Sequence, residues 1–437
     1  MITNLRAQNF KSWKDTGDLR LAPLTGLFGT NSSGKSSILQ VLLMMKQTVD
    51  NSDPKRVLKL GEDERGDDRS YVDLRSFTEL IHGHDNHLPL QLSISWEPAA
   101  IVAQGKFGQI DQLALDTTIA DDAKRLVVDE FGYSFGAHSF GMSRHPDGIS
   151  YHLTNPRDAL NSLGNYIVLP APTRFYGFPP EIFDQYTDAS FLSDFPRSFE
   201  KCLRTVRYLG PLRPEPQASY IWSGSLPTGV GRRGELAIQV MLAWQGRYRS
   251  TERSTQVANW LSKMKLIESF RIVPIAENRE TYEVRVRQTP TSAEVLLTDV
   301  GFGVSQVLPV LVLCAYAEEG STLLIEQPEM HLHPSAQSEL ADILIETAKG
   351  RRVQIIVESH SEHLLRRIQR RIGEGEVSSG DTSLYFCRIE QGKSKAEELH
   401  LTEDGFIKNW PKDFFGDEMG EVAALAEASI RRRRQAR

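Results

Sequence analysis

The spacing of hydrophobic and polar positions changes several times along the chain, and each change marks a different kind of element. From Leu88 to Leu153 the period is two. Leu90, Leu92, Ile94 and Trp96 alternate with polar residues, which is how a strand with one buried face reads. KFGQIDQLALDTTI, RLVVDEFGYSF and ISYHL continue this style between Gly, Asp and His-Pro turn signals, so the stretch predicts an antiparallel β-lobe. Ile2–Phe10, Leu19–Leu21 and Leu24–Phe28 predict two or three strands near the N-terminus. Short unbroken apolar runs at Thr322–Ile325 and Val353–Val357 predict buried strands, each followed by a helical pattern. Alternation of buried strand and helix argues for a parallel sheet covered by helices.

Helical spacing appears at Lys35 to about Gln47, Phe191–Leu203, Glu235–Arg249, Thr255–Met264 and Gln306–Ala317. Further strands are expected at Phe270–Ile275, Tyr282–Arg287 and Glu294–Leu297. Asp50–Arg69, with GEDERGDD, is polar and acidic and predicts a surface loop or partly disordered segment. Asn155–Pro216 is dense in aromatics and prolines. No heptad pattern could sustain a long coiled coil. The elements predict an α/β fold with a mostly parallel core sheet, an antiparallel β-lobe and an inserted helical lid. The expected units are residues 1–50 with 290–437 as the core, 51–154 as the lobe and 155–289 as the lid.

Composition narrows the class. The 437 residues are 40% hydrophobic and 25% charged, as in an ordinary soluble protein. No run of about 18 apolar residues exists, so no membrane span is expected. The start, MITNLRAQNFKSW, has no apolar core of a secretory signal. Cys202, Cys314 and Cys387 lie far apart without a C-x-x-C pair, which disfavours structural zinc and suits a reducing, cytoplasmic setting. Net charge is −6, yet Arg366, Arg367, Arg370 and Arg371 share one helical flank, and Arg431–Arg434 open a basic tail ending at Arg437. Both clusters are candidate nucleic-acid contacts, although blocks of like charge are more often simply solvated.

The candidate chemistry begins at GTNSSGKSS, Gly29–Ser37. It matches G-x-x-x-x-G-K-[ST] between a strand and a helix, the context in which a glycine-rich loop cradles a triphosphate. Backbone N–H groups of Asn31, Ser32, Ser33, Gly34, Lys35, Ser36 and Ser37, with the positive helix end, would face the phosphates. Lys35 would reach the β- and γ-phosphates and the Ser36 hydroxyl would ligate Mg²⁺. The buried run Thr322–Ile325 ends in Glu326, where a carboxylate at the C-terminal end of a parallel strand can hold Mg²⁺. The run Val353–Val357 delivers polar residues ending in His360. Gly301 and Gly303 precede Ser305 and an apolar helix, which makes a second anion site. Two phosphate-binding elements in one chain suggest two chains sharing two nucleotides.

With these residues assembled, the chain resembles the ABC-type ATPases of the SMC and overcoming-lysogenisation-defect group, standalone members of which occur in bacterial antiphage systems. The resemblance covers NFKSW, the phosphate loop and most of Val295–Ile372, with YLGPLRPEP, GVGRRGE and FFGDEMGE typical of a bacterial subgroup. It implies an ABC/SMC-like P-loop NTPase head that uses ATP and Mg²⁺. It makes Gly29–Ser37 Walker A, Glu326 the Walker B metal carboxylate, and Gly301, Gly303 and Ser305 the signature acting across a dimer. Pro334–Gln337 would be the D-loop and His360 the γ-phosphate sensor. The position after Glu326 usually holds a catalytic glutamate. Here it is Gln327, which can orient a water but cannot take its proton. Glu329 is the spare carboxylate. Gln40 reads as an ordinary helix residue, and no Q-loop glutamine is identified.

The expectation is an ATP-dependent dimeric switch controlling an associated effector, a nuclease or toxin, in antiphage defence or DNA surveillance. A non-hydrolysing ATP-bound scaffold is the alternative that Gln327 favours. A self-contained nuclease is disfavoured, because only 77 residues follow His360, too few for a two-metal carboxylate domain. A transporter subunit is disfavoured by the large insert between phosphate loop and signature.

Overall fold

Strands β1 (Ile2–Phe10), β2 (Trp13–Asp15), β3 (Leu19–Arg20) and β4 (Leu24–Gly29) lead into helix α1 (Lys35–Val49). Then come β5 (Leu90–Trp96), β6 (Leu113–Asp122), β7 (Arg125–Phe135), β8 (His138–Arg144) and β9 (Tyr151–Thr154). The middle of the chain supplies α2 (Asp194–Arg204), β10 (Val206–Leu209), β11 (Tyr220–Ile221), α3 (Ala237–Gln245) and α4 (Thr251–Lys263). Strands β12 (Ser269–Pro274), β13 (Thr281–Arg287) and β14 (Val295–Leu296) precede α5 (Phe302–Tyr316). Last are β15 (Thr322–Glu326), α6 (Pro334–Arg351), β16 (Gln354–Glu358), α7 (Glu362–Gly373), β17 (Thr382–Glu390) and β18 (Lys393–Glu398). This computed structural model describes residues 1–61, 70–98, 107–123, 125–154, 168–185, 187–245, 251–276, 280–411 and 414.

The core is a six-stranded sheet in the order β10-β15-β16-β4-β17-β18. All neighbours pair in parallel except the edge strand β18. Every residue of β15 and β16 is buried, as expected where helices or another sheet cover both faces. The two faces feed different cores because side chains alternate along a strand. Leu324 and Ile356 join α1, α2 and the antiparallel sheet. Leu323, Ile325, Ile355 and Val357 join α3 to α7. Each such fully buried aliphatic side chain contributes about 1.5–3 kcal/mol.

The second sheet runs β2-β1-β5-β6-β7-β8-β9, with β3 on β1, and all its ladders are antiparallel. Burial in β5 alternates strictly, matching the period-two reading. This sheet crosses the expected boundary at residue 50, since β1 pairs with β5 at Leu5–Ile94 and Gln8–Gln91. Ile2, Leu5, Ala7 and Phe10 turn into the same core as Leu90 to Trp96, so a cut between 1–50 and 51–154 would divide one hydrogen-bonded layer. Gln354 clasps β1 to the parallel sheet. Its buried amide donates to the Ile2 carbonyl at 2.6 Å and accepts from the Ile2 N–H at 3.1 Å.

The stretch 155–289 is less of a separate lid than its prolines suggested, because its strand β10 closes the edge of β15. An uncovered edge would leave a row of unpaired backbone groups. Helix α5 begins at Phe302, four residues before the expected Gln306, with Gly301 as its N-cap. Helix α2 begins at Asp194, after a 3-10 turn at Thr187–Ser193. Most of GEDERGDD and the whole of Arg431–Arg437 lie outside the described residues. Among the described residues no helix is long and apolar enough to cross a membrane.

Candidate functional site

The phosphate loop is held in shape by close packing that only glycine permits. Gly29 has φ +135°, and a Cβ there would lie 1.9 Å from the Cys387 carbonyl oxygen on β17. Gly34 has φ +91° and caps α1. A Cβ on it would meet Trp13 Nε1 and Ser394 Oγ, both at 2.6 Å. Trp13 Nε1 donates to the Gly34 carbonyl at 3.0 Å, and Ser394 Oγ donates to Ser12 Oγ at 2.7 Å. The N-terminal Ser12-Trp13 pair is thus the floor under the loop. Gly34→Ala is expected to lower the melting temperature, at a cost of about 1–3 kcal/mol from overpacking and a disfavoured backbone. Thermal denaturation beside an exposed control such as Gly17→Ala, where a Cβ meets nothing within 4 Å, checks the packing part.

Asn31 and Ser32 are exposed at the loop tip, Ser33 is buried, and Ser36 and Ser37 are half-buried on the first turn of α1. Lys35 is folded back on its own loop. Its Nζ donates to the Thr30 carbonyl at 2.7 Å and the Gly29 carbonyl at 3.1 Å. Burial pulls its pKa down, against the opposing pull of Glu358, Cys387 and Glu329. Those carbonyl bonds are replaceable by phosphate oxygens.

The ends of β15 and β16 place Glu326 and Glu358 side by side as registered partners. Ser36 Oγ donates to Glu358 Oε1 at 3.0 Å, so Glu358 is a carboxylate that touches the phosphate loop directly. Sequence reasoning passed over it. The signal was present, since TLLIE and QIIVE both end a buried strand in glutamate, the second of them two residues before His360. Glu326 Oε1 instead accepts from the Tyr208 hydroxyl at 2.8 Å. Burial, then the charge of Glu358, pushes the Glu326 carboxyl up to about 7. Burial also raises Glu358, opposed by Ser36 and Lys35.

Arg213, buried, pins the turn after β15. It donates to the Glu326 carbonyl at 2.9 Å and the Gln327 carbonyl at 3.3 Å, and burial brings its pKa down to about 10. Gln327 adopts φ +44° while its N–H donates to the Glu358 carbonyl at 2.8 Å. Tyr208 and Arg213 both belong to YLGPLRPEP, which the sequence marks only by its resemblance and to which it assigns no site role; both arrive from the middle segment. Glu329 Oε1 accepts from the His360 N–H at 2.7 Å, so one of its oxygens is committed to positioning that residue. Its other oxygen, and Glu358 Oε2, are buried without a partner. His360 is drawn below its ordinary pKa by burial and then Lys35, with the Gly29 backbone pulling upward.

Orphaned carboxylate oxygens beside a serine hydroxyl are what a hard cation would satisfy. Among the described residues no cluster of three or more His, Cys, Asp or Glu forms a metal cage. Mg²⁺ fits such a site, because it retains waters and takes only one or two carboxylates plus phosphate oxygens.

The other predicted residues are placed as follows. Gly301 faces open space and Gly303 would bring a Cβ to 3.0 Å from the His331 carbonyl. Ser305 lies inside α5, buried, its hydroxyl donating to the Phe302 carbonyl at 2.9 Å. Pro334–Gln337 form the first turn of α6, and Gln337 Oε1 accepts from Ser361 Oγ at 2.5 Å. Gln40 accepts from Lys11 Nζ at 2.6 Å, the role of a helix residue. The arginine flank is neutralised within the fold. Arg366 pairs with Glu362, Arg367 with Glu339 and Asp342, Arg370 with Glu374, and Arg371 with Asp342 and Glu374.

Residues 1–151 and 248–365, together more than half of the chain, match the family described as "AAA ATPase domain". Residues 377–425 match one described as "Protein of unknown function (DUF3696)". No curated protein matches. Among solved structures, an SMC head bound to the C-winged helix domain of ScpA aligns over 92% of this chain and 98% of its own, at 14% identity and TM-score 0.45. The SMC head domain from Thermotoga maritima aligns over 92% and 99%, at 12% identity and TM-score 0.40. A head domain with an extended coiled coil, bound to the C-terminal domain of ScpA derived from Pyrococcus furiosus, aligns over 91% and 96%, at 13% identity and TM-score 0.43.

Proposed function

The chain belongs to the AAA ATPase domain family, and from that premise we propose that it is an ATP-dependent dimeric switch controlling an associated effector. The observation that carries this reading is the Ser36–Glu358 contact at 3.0 Å beside Glu326, in front of a loop closed by Gly29 and Gly34. Lys35 leaves the Thr30 and Gly29 carbonyls for the β- and γ-phosphates. Ser36 with Glu326 and Glu358 would hold Mg²⁺, which would neutralise charge on the phosphate oxygens. Gln327 orients the attacking water, and His360, held near Gly29 and Lys35, senses the γ-phosphate. Glu329 fixes the His360 backbone and keeps one oxygen for the water's proton.

Gly301, Gly303 and Ser305 complete the site of a second chain. The exposure of Gly301 at the tip of α5, beside Phe302, which is 57% exposed, supports an interface there, with Ser305 buried one turn further along. ATP with Mg²⁺ is expected to double the scattering mass in solution. A mass independent of nucleotide would refute the switch. The scaffold reading rests on Gln327 and gains if wild-type turnover is unmeasurable with and without DNA. The resemblance to antiphage ATPases supports defence or DNA surveillance as the setting, with a nuclease or toxin as effector.

A pH dependence follows. Glu326 must be ionised to hold Mg²⁺, and its carboxyl sits at about 7, so protons compete with the metal below that pH. The folded value lies above the ordinary 4.5, so without metal, stability falls as pH rises through that window. The Mg²⁺ concentration for half-maximal turnover is expected to rise as pH drops below about 7, by up to about tenfold per unit. A pH-independent Mg²⁺ requirement would remove Glu326 from the metal site.

A further inference from the structure

A cavity of about 900 Å³ opens between the end of α1, strand β10 and the glycine-rich loop 228–236. Lys46, Arg174, Arg204, Arg207 and Arg232 line it. Three carboxylates line it too, but each is engaged. Asp50 pairs with Lys46 at 3.1 Å, Glu200 with Arg204 at 3.2 Å, and Glu235 accepts the Arg233 N–H at 2.9 Å. Among the described residues Arg207 donates only to the Arg204 and Val206 carbonyls. Arg232 is held by its backbone, whose carbonyl accepts from the Gly210 N–H at 2.8 Å. Neither guanidinium has a carboxylate partner among the described residues, in contrast to the neutralised flank of α7.

The cavity also holds unused donors. Asn51 is 8% exposed and its amide nitrogen is buried without a partner, as is Arg174 Nε. Buried donors in native folds are nearly always satisfied, so a ligand acceptor is the natural complement. The Tyr71 ring, 5.2 Å from Lys46 Nζ, adds an aromatic face. The volume is within the range of small-molecule sites and accommodates a mononucleotide.

We propose that this cavity is a second ligand site, for a small phosphorylated molecule of the nucleotide class, whose occupancy is felt at the ATP site. Two contacts carry the signal. Tyr208 lines the cavity and donates to Glu326 at 2.8 Å. The loop lies directly on the middle of α5, for a Cβ on Gly234 would fall 2.3 Å from Pro309, and α5 bears the signature segment at its N-terminal end. A ligand that draws Arg207 and Arg232 inward therefore acts on both halves of the composite site, a coupling of separate sites in the sense of linked binding. The binding claim stands alone, whereas the coupling claim rests on Glu326 belonging to the ATP site.

The test uses AMP and the full chain carrying Lys35→Ala, which silences the phosphate loop. Calorimetry should show AMP binding that weakens by about tenfold or more when Arg207→Ala and Arg232→Ala are added, each a lost charge-assisted contact. Gly229→Leu should block it as well, since a side chain there meets open space and the fold is retained. No AMP binding, or binding indifferent to both cavity variants, overturns the proposal. So does an oligonucleotide that binds through Arg207 and Arg232 where AMP does not, which would make the cavity part of a nucleic-acid surface. In the wild type at saturating ATP, AMP should change the steady-state ATPase rate about twofold or more, and Tyr208→Phe should remove that response while AMP still binds. Binding without any rate response refutes the coupling. An absent ATPase rate refutes the hydrolytic reading instead and leaves the calorimetry to decide the site.

Discussion

Lys35→Ala is expected to lower ATP affinity by about a hundredfold or more, the worth of roughly 3 kcal/mol for a charge-assisted contact to phosphate. The side chain is buried at the base of the loop and, among the described residues, bonds only to the Thr30 and Gly29 carbonyls and, at 3.5 Å, to Ser33 Oγ, with no ion pair among them. Loss of the ammonium therefore removes ligand binding without removing a structural link, and the variant should melt near the wild type. Titration of a fluorescent ATP analogue reads the affinity, and light scattering should show that ATP no longer changes the mass. A variant that binds ATP as the wild type does would place the triphosphate elsewhere.

Glu326→Ala and Glu358→Ala should each cut turnover by about a hundred- to a thousandfold, the range for removing one preorganised electrostatic group. The two carboxylates are adjacent strand ends, so their negative charges oppose each other until a cation arrives. Removing either relieves that repulsion. The melting temperature without nucleotide is thus expected to hold or rise above about pH 7, although Glu326 loses its bond to Tyr208 and Glu358 its bond to Ser36. Turnover that falls while stability does not is the pattern of a functional group rather than a structural one. Phosphate release from Glu326→Ala at the wild-type rate would refute its metal role.

Local chemistry was readable from the chain alone wherever a function needs a fixed spacing. GTNSSGKSS sits between β4 and α1 because strand, glycine turn and helix are all encoded within 26 residues, Leu24–Val49. Period two gave β5, β6, β7 and β9, and unbroken apolar runs gave β15 and β16, since burial on one face or two writes itself into the residue pattern, whereas β8 buries three consecutive residues and is not singled out by that pattern. Glu358 follows the same rule as Glu326, a carboxylate closing a buried parallel strand, but its contact with Ser36 depends on β16 lying beside β4.

Other features depend on contacts across long stretches of chain, and no local pattern carries those. Ser12 and Trp13 become the floor of the loop only when β17 and β18 bring Ser394 beside them. Tyr208 and Arg213 reach the end of β15 because β10 pairs with that strand, and pairing partners are chosen by the whole core. Arg366, Arg367, Arg370 and Arg371 read as a solvated flank or a nucleic-acid contact, and only α6 shows that Glu339 and Asp342 pack against two of them. The sequence by itself determined a glycine-rich loop between a strand and a helix, and two buried strands followed by helices, because those are properties of single elements. Tertiary structure decided which carboxylate touches Ser36, which glycines cannot change, and which cations stay unpaired, because charge and packing are settled only when distant segments meet.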